Sequence, residues 1–151
     1  MPKLIQKINR IIYRIIEPIF PYVRDALLAC GIIHHHGRQR YPVGFLEKNK
    51  NAQEFENYLG RLGFRKNKIA WKDEGEILGM RKLDGFDFCY HIRIFSDGEV
   101  RGHYERTVES NAWNHFFEIG MEPRTQDFRK FTQPFLQAVP EFEISTATVT
   151  S

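Results

Sequence analysis

The sequence contains little cysteine and no long uninterrupted hydrophobic run. Only Cys30 and Cys89 are present among 151 residues. Two thiols cannot build a disulfide framework, which favours a reducing compartment, and we expect a cytoplasmic protein. The most apolar stretch, near the start of the sequence, is interrupted by Arg14, Glu17 and Pro18. A secretory signal and a membrane-spanning helix both need a longer unbroken apolar run, so neither is predicted.

The sequence also lacks helix-turn-helix, zinc-finger, RNP and KH signatures, and it shows no internal repeat. Its aromatic content is 14%, with thirteen Phe, which indicates a folded core rather than disorder. A chain of this length can bury one core without disulfides or metals. We predict an N-terminal amphipathic helical segment over residues 1–33, an α+β domain over 34–139 and a flexible tail over 140–151.

Positive charge is concentrated in the first third of the sequence. Residues 1–50 carry nine Lys or Arg against three Asp or Glu, whereas the remaining residues carry 13 against 16. This asymmetry predicts that the first third faces an anionic partner, either nucleic acid or a membrane surface. A solvated helix face followed by a charged loop would give the same counts, and that alternative stays open.

A basic amphipathic helix is predicted near the N-terminus. At 100° per residue, the leucine and isoleucines between positions 4 and 19 fall within an arc of about 140°, bordered by four Lys or Arg residues. Such a helix can pack on its own domain, join a protein partner or a second copy of itself, or lie in a membrane interface. For a partner or a membrane, the predicted contact residues are Ile8, Ile12, Ile15 and Ile19.

The rest of the pattern predicts an α+β fold. After the N-terminal helical pair comes an edge strand near residues 40–46, and then a helix with Asn51 as its N-cap. An antiparallel meander of about three to four strands follows. Two closing helices are expected, the first capped by Ser110 or Asn111 and the second by Thr125. We expect the helices to pack on one face of the sheet.

The stretch CYHIRIFSDGEVRGHYER, residues 89–106, predicts a β-hairpin. If Gly98 takes the left-handed position of a three-residue loop, residue i pairs with residue 194 − i. One face of the hairpin is then apolar and the other polar, whereas a two-residue loop would mix both faces. The helices cover the apolar face, so we expect the other face to be open. That face presents Cys89, His91, Arg93, Arg101, His103 and Glu105.

Binding of an anionic partner is the main functional prediction. Arg93 opposite Arg101 is a like-charge pair, which costs energy unless an acid or a bound anion lies between the two groups. Arg38 and Arg40 supply further phosphate contacts, and Tyr41 supplies a ring for base stacking. We therefore predict a small nucleic-acid-binding protein, for RNA or single strands, that needs no cofactor.

Two other chemistries fit the same polar face. His91, His103 and Glu105 are suitable catalytic groups for general acid–base cleavage of an RNA phosphodiester without metal. With Cys89 they also form a ligand set for a transition metal, to which the histidines at 34–36 would add from a loop. The arginines on the same face would repel a dication, so the sequence favours no metal site.

Overall fold

The computed structural model describes residues 7–8, 11–12, 14–32, 41–68, 70, 72–111, 114–115 and 119–137. Within these residues, three helices are α1 (Phe20–Ala29), α2 (Ala52–Arg61) and α3 (Thr125–Thr132). The strands are β1 (Tyr41–Phe45), β2 (Arg65–Lys66), β3 (Glu76–Asp84), β4 (Phe88–Phe95) and β5 (Glu99–Arg106). The described residues among 7–16 are also helical and are called here the N-terminal helical segment.

The strands form one antiparallel sheet in the order β1-β5-β4-β3-β2. The α+β class is therefore confirmed, with an edge strand β1 where one was predicted. The strand number was wrong, since the sheet has five strands rather than three to four. The unpredicted strand, β2, is only two residues long, too short to show an alternating pattern.

The register of the β4–β5 hairpin is the predicted one. Arg93 pairs with Arg101 and His91 pairs with His103. Gly98 has φ +86°, the left-handed conformation that the bulged three-residue loop requires. The alternation of apolar and polar residues thus fixed which side chains share a face.

Helix starts were predicted with mixed success. Asn51 forms a capping box, in which its side chain accepts from Glu54 N at 2.9 Å and the Glu54 carboxylate accepts from Asn51 N at 3.3 Å. Asn111 Oδ1 accepts from the backbone N–H of residue 114 at 3.0 Å, as expected of a cap. Thr125 was the wrong cap for α3, because it is the first helical residue and Arg124 precedes it with φ 40°.

One face of the sheet carries the hydrophobic core. Phe55 and Leu59 of α2 and Phe128 of α3 are fully buried in the same cluster as β4 residues Ile92 and Ile94. The ring of Phe128 lies edge-on to Tyr90, with centroids 5.6 Å apart. Residues 33–40 and 138–151, which include Arg38, Arg40, the triple histidine and the predicted tail, lie outside the described residues. The three-segment division stays a prediction.

Gly102 leaves room for the core to close over β5. A Cβ atom at this position would lie 2.7 Å from Phe128 Cδ1 and 2.8 Å from Phe128 Cε1. Such contacts are impossible without moving the ring, which packs against Tyr90 and Phe131. Residue 102 must therefore be glycine for a steric reason rather than a conformational one.

We expect Gly102→Ala to lower the free energy of unfolding by about 1–3 kcal/mol, because the added methyl group overpacks the core. Gly60→Ala is the matched control, since a Cβ there meets nothing within 4 Å and Gly60 is an exposed position of α2. The control should raise stability by up to about 1 kcal/mol. Urea unfolding monitored by circular dichroism measures both, and equal effects would contradict the steric argument.

Candidate functional site

The polar face of the β4–β5 hairpin is buried, so the prediction of an open face was wrong. His91, His103 and Glu105 are only 2%, 1% and 4% exposed. Two segments outside the hairpin contact this face, one through Asn67 and the other through His115. Both contacts come from residues outside the hairpin. The alternation of apolar and polar residues within the hairpin therefore could not predict them. The sheet is covered on both sides at this point.

The two facing arginines are compensated by acids of the chain itself. Arg93 Nη1 lies 2.6 Å from a Glu76 carboxylate oxygen and 3.6 Å from Asp73 Oδ1. Arg101 Nε lies 2.8 Å from Glu99 Oε1. These three carboxylates offset the like-charge pair, so the pair gives no reason to expect an external phosphate. Phosphate binding by Arg93 and Arg101 stays a prediction.

Cys89, His91, His103 and Glu105 form two neighbouring cross-strand pairs on this face. Cys89 Sγ lies 3.1 Å from His91 Nε2. Glu105 Oε1 lies 3.1 Å from His103 Nε2 and 3.4 Å from His91 Nε2. The potential ligand atoms of Cys89, His91 and Glu105 all fall within 4.8 Å of one another. The register therefore brings a thiol, two imidazoles and a carboxylate to one buried point.

A third imidazole, which sequence reasoning missed, reaches the same carboxylate. His115 Nδ1 lies 3.4 Å from Glu105 Oε1 and donates to the Arg106 carbonyl at 3.0 Å. His115 follows the Asn111 cap by one helical turn. It lies outside the hairpin, so the alternation of hairpin residues could not predict that it reaches Glu105. One carboxylate oxygen is thus contacted by three imidazole nitrogens.

Asn67 orients the His91 ring from the opposite side. Asn67 Nδ2 lies 3.1 Å from His91 Nδ1, while among the described residues Asn67 Oδ1 is buried and has no hydrogen-bond partner. Rotating the amide by 180° exchanges its oxygen and nitrogen. Oδ1 then accepts from the Nδ1–H group of His91, and the Nε2 lone pair becomes available toward Cys89 and Glu105.

Burial favours the uncharged forms of His91 and Cys89. Burial lowers the pKa of His91 well below its usual value, and electrostatic interactions with His103, His115 and the nearby arginines act in the same direction. Burial also raises the pKa of the Cys89 thiol, with repulsion from the Glu105 carboxylate as the next cause. A neutral imidazole is the form that ligates metals.

The interatomic distances match those expected around a tetrahedral metal. With metal–ligand bonds of about 2.0–2.1 Å for nitrogen and oxygen, neighbouring ligand atoms lie about 3.3 Å apart. The nitrogen-to-Glu105 distances for His91 and His103 are 3.4 and 3.1 Å. The same distances also suit hydrogen bonds. The spacing of Cys89, His91 and Glu105 is thus compatible with binding to one metal ion.

The other predicted binding residues are separated from this cluster. Tyr41 is 37% exposed and pairs with Gly102, which places it on the apolar face of β5 rather than on the Arg101 face. Nucleic-acid contacts by Arg38 and Arg40 stay a prediction. The structure therefore does not bring Tyr41 together with the polar face.

A basic groove lies between the N-terminal helical segment and the β2–β3 edge of the sheet. Its volume is about 530 Å³. Five of its lining side chains are cationic and two are acidic; they are Arg14, Arg65, Lys66, Arg81 and Lys82, with Glu17 and Glu109. Arg81 is bound by Glu109 at 2.6 Å, and Lys66 lies 3.0 Å from Glu56. Arg14, Arg65 and Lys82 outnumber the remaining acid, Glu17, so the groove is basic.

Comparison with protein-family models, with curated proteins and with solved structures gives no match to this chain. The geometry of the described residues therefore carries the functional argument.

Replacement of Arg93 by Met should lower the free energy of unfolding by about 3–5 kcal/mol, because two buried carboxylates lose their counter-charge. The side chains of Asp73 and Glu76 are 1% and 3% exposed. Lys130→Met is the control, since Lys130 is 76% exposed and lies 3.7 Å from Asp127. It should cost less than about 1 kcal/mol. A mild effect of Arg93→Met in urea unfolding would refute the compensation described above.

Proposed function

We propose that this protein is a small α+β metal-binding domain, whose buried site holds one divalent transition-metal ion. Cys89, His91 and Glu105 supply three ligand atoms that lie within 4.8 Å of one another, and His103, 3.1 Å from Glu105, would supply the fourth. The observation that carries the proposal is the convergence of a thiol and three imidazoles around the one carboxylate of Glu105, all in a buried layer. Buried imidazole, thiolate and carboxylate groups are the ligands that transition metals prefer.

Ion pairs offset the arginine charges that would otherwise repel a metal dication. The arginines that would repel a dication are each within 2.8 Å of a carboxylate: Arg81 with Glu109, Arg93 with Glu76 and Arg101 with Glu99. Their charges are therefore offset locally. A dication adjacent to Glu105 and Cys89 would be stabilised by the carboxylate and would favour the thiolate form of Cys89.

Zinc is the metal that this donor set suits best. One sulfur, two nitrogens and one oxygen are borderline ligands, and four protein ligands complete a tetrahedron without a bound water. Such closed sites are structural, whereas catalytic zinc sites keep one position open. In this proposal Asn67 orients His91, and His115 reinforces Glu105. The ion would link β4 to β5, because two of its ligands lie on each strand.

Catalysis by His91, His103 and Glu105 has less support from the geometry. The side chains of these groups are between 1% and 5% exposed. A general acid or base must come within hydrogen-bond reach of its substrate, directly or through one water. An RNA phosphodiester would need the covering segments to move away first. The ribonuclease alternative stays a prediction without an observation in its favour.

Cobalt substitution tests the metal proposal directly. The chelator-treated protein should bind one equivalent of Co²⁺, with the visible d–d absorption of a four-coordinate site and a near-ultraviolet thiolate-to-cobalt charge-transfer band. Zn²⁺ should displace Co²⁺ and raise the melting temperature, because a ligand that binds only the native state stabilises it. Cys89→Ala should lose the charge-transfer band. Cys30→Ala is the matched control, since Cys30 is the exposed thiol, and it should keep the band.

A second, more conservative variant distinguishes loss of a metal ligand from loss of the fold. Glu105→Gln keeps the size of the side chain and removes its charge, so its Co²⁺ affinity should fall by about 10–100-fold or more. Absence of stoichiometric metal in a folded wild-type protein would refute the proposal. A charge-transfer band that disappears in Cys30→Ala and persists in Cys89→Ala would refute the site.

The basic groove supports nucleic-acid binding as a second candidate function. The specific observation is the excess of cations along the β2–β3 edge, where Arg65 and Lys66 are exposed on a two-residue strand. A basic groove next to a sheet edge can follow a phosphate backbone without reading its sequence. This candidate places the nucleic acid on the opposite edge of the sheet from Tyr41.

Short labelled single-stranded RNA tests the groove. Binding should weaken with salt, and Arg65→Ser/Lys66→Ser should reduce the slope of log affinity against log salt by about one for each phosphate that the variant no longer neutralises. Lys48→Ser/Lys130→Ser removes two exposed lysines elsewhere and serves as the control. Equal reductions in both double variants would indicate non-specific attraction and would rule the groove out.

A further inference from the structure

The apolar side of the N-terminal helical segment faces away from the domain. Five isoleucines on it and Ile19 just after it are between 42% and 60% exposed: Ile8, Ile11, Ile12, Ile15, Ile16 and Ile19. The exposed surface continues into α1 through Tyr22, which is 78% exposed, and Val23, which is 48% exposed. We call this surface the isoleucine face. Contiguous apolar patches of this kind mark sites of interaction.

Some polar side chains of the same region lie against the domain. Arg14 and Glu17 line the basic groove against the sheet edge. Arg24 of α1 is 5% exposed, and its Nη1 donates to the Ala70 carbonyl at 3.0 Å. An amphipathic helix that packs on its own domain buries its apolar side. Here the isoleucine face is left exposed, and the hydrogen bond of Arg24 joins the region to the domain.

We infer that the isoleucine face docks on an anionic lipid surface. The first sixteen residues of the sequence contain four Lys or Arg and no Asp or Glu. Basic residues bordering a broad apolar face are complementary to anionic headgroups above an acyl layer. Lys7 lies in the described part of this segment and is exposed. The charge and the exposed apolar surface therefore point to the same partner.

Self-association fits these observations less well. A two-stranded coiled coil uses a narrow seam of two positions per heptad and places charged residues beside it. Here the apolar arc is about 140° wide and isoleucines occupy the flanking positions Ile11 and Ile16. Two copies would also bring together like-charged borders that carry no acid before Glu17. A wide face with one sign of charge suits a lipid surface.

The attachment lies along the membrane rather than across it. Among the described residues, no helix is long and apolar enough to cross a membrane. An interfacial helix needs only to insert its apolar side to the boundary of headgroups and acyl chains. This inference is independent of the proposed metal site, because the isoleucine face and the Cys89 cluster share no residue.

Vesicle cosedimentation with the full chain tests the inference. The protein should bind vesicles of phosphatidylcholine mixed with phosphatidylserine and bind pure phosphatidylcholine weakly. Ile12→Gln/Ile15→Gln should lower the partition coefficient at least about tenfold, because two inserted side chains are no longer apolar. Ile77→Gln/Ile119→Gln is the matched control, since both side chains are about half exposed elsewhere, and it should bind as the wild type does.

The charge requirement is tested separately. Lys7→Gln should weaken binding to the anionic vesicles by about fivefold, as expected for one basic residue near the surface. Lys130→Gln should leave binding unchanged. Binding that does not depend on phosphatidylserine, or that is abolished equally in the control variants, would overturn the inference. Absence of vesicle binding, with a dimer in light scattering that Ile12→Gln/Ile15→Gln dissociates, would assign the isoleucine face to a second copy.

Discussion

The structure depends on the compensation of charges in a polar layer buried against the β4–β5 hairpin. Burying arginine, histidine and glutamate is unfavourable unless each group meets a partner of suitable charge or hydrogen-bonding capacity. Arg93 meets Asp73 and Glu76, and Glu105 meets three imidazoles. The covering segments therefore have to carry acids and hydrogen-bond donors at fixed places. Their sequence is constrained by the sheet they cover.

This layer explains how both faces of a short hairpin are buried. On the apolar face, Phe128 fits over Gly102, and hydrophobic burial provides the stability. On the polar face, ion pairs and hydrogen bonds favour one arrangement of the covering segments, because any other leaves a charge without a counter-charge. A metal ion at Cys89 and Glu105 would add a further link between the strands.

In the N-terminal region, polar side chains contact the domain and apolar side chains are exposed. Arg24 joins it to the domain through a hydrogen bond, Arg14 lines the groove, and its isoleucines are left exposed. One face of the sheet is covered by α2 and α3, and the other is contacted by Asn67 and His115. The isoleucine face is therefore available to the docking that we propose.

The sequence by itself determined the α+β class, the β4–β5 register and the Asn51 cap, because each depends on neighbours within one turn or one hairpin. It also determined which side chains share a strand face, since side chains alternate with period two. Only the tertiary structure decided that the polar face is buried, that Asp73 and Glu76 meet Arg93, and that His115 reaches Glu105. These contacts join the hairpin to segments outside it, and no local period encodes which loop covers a sheet face.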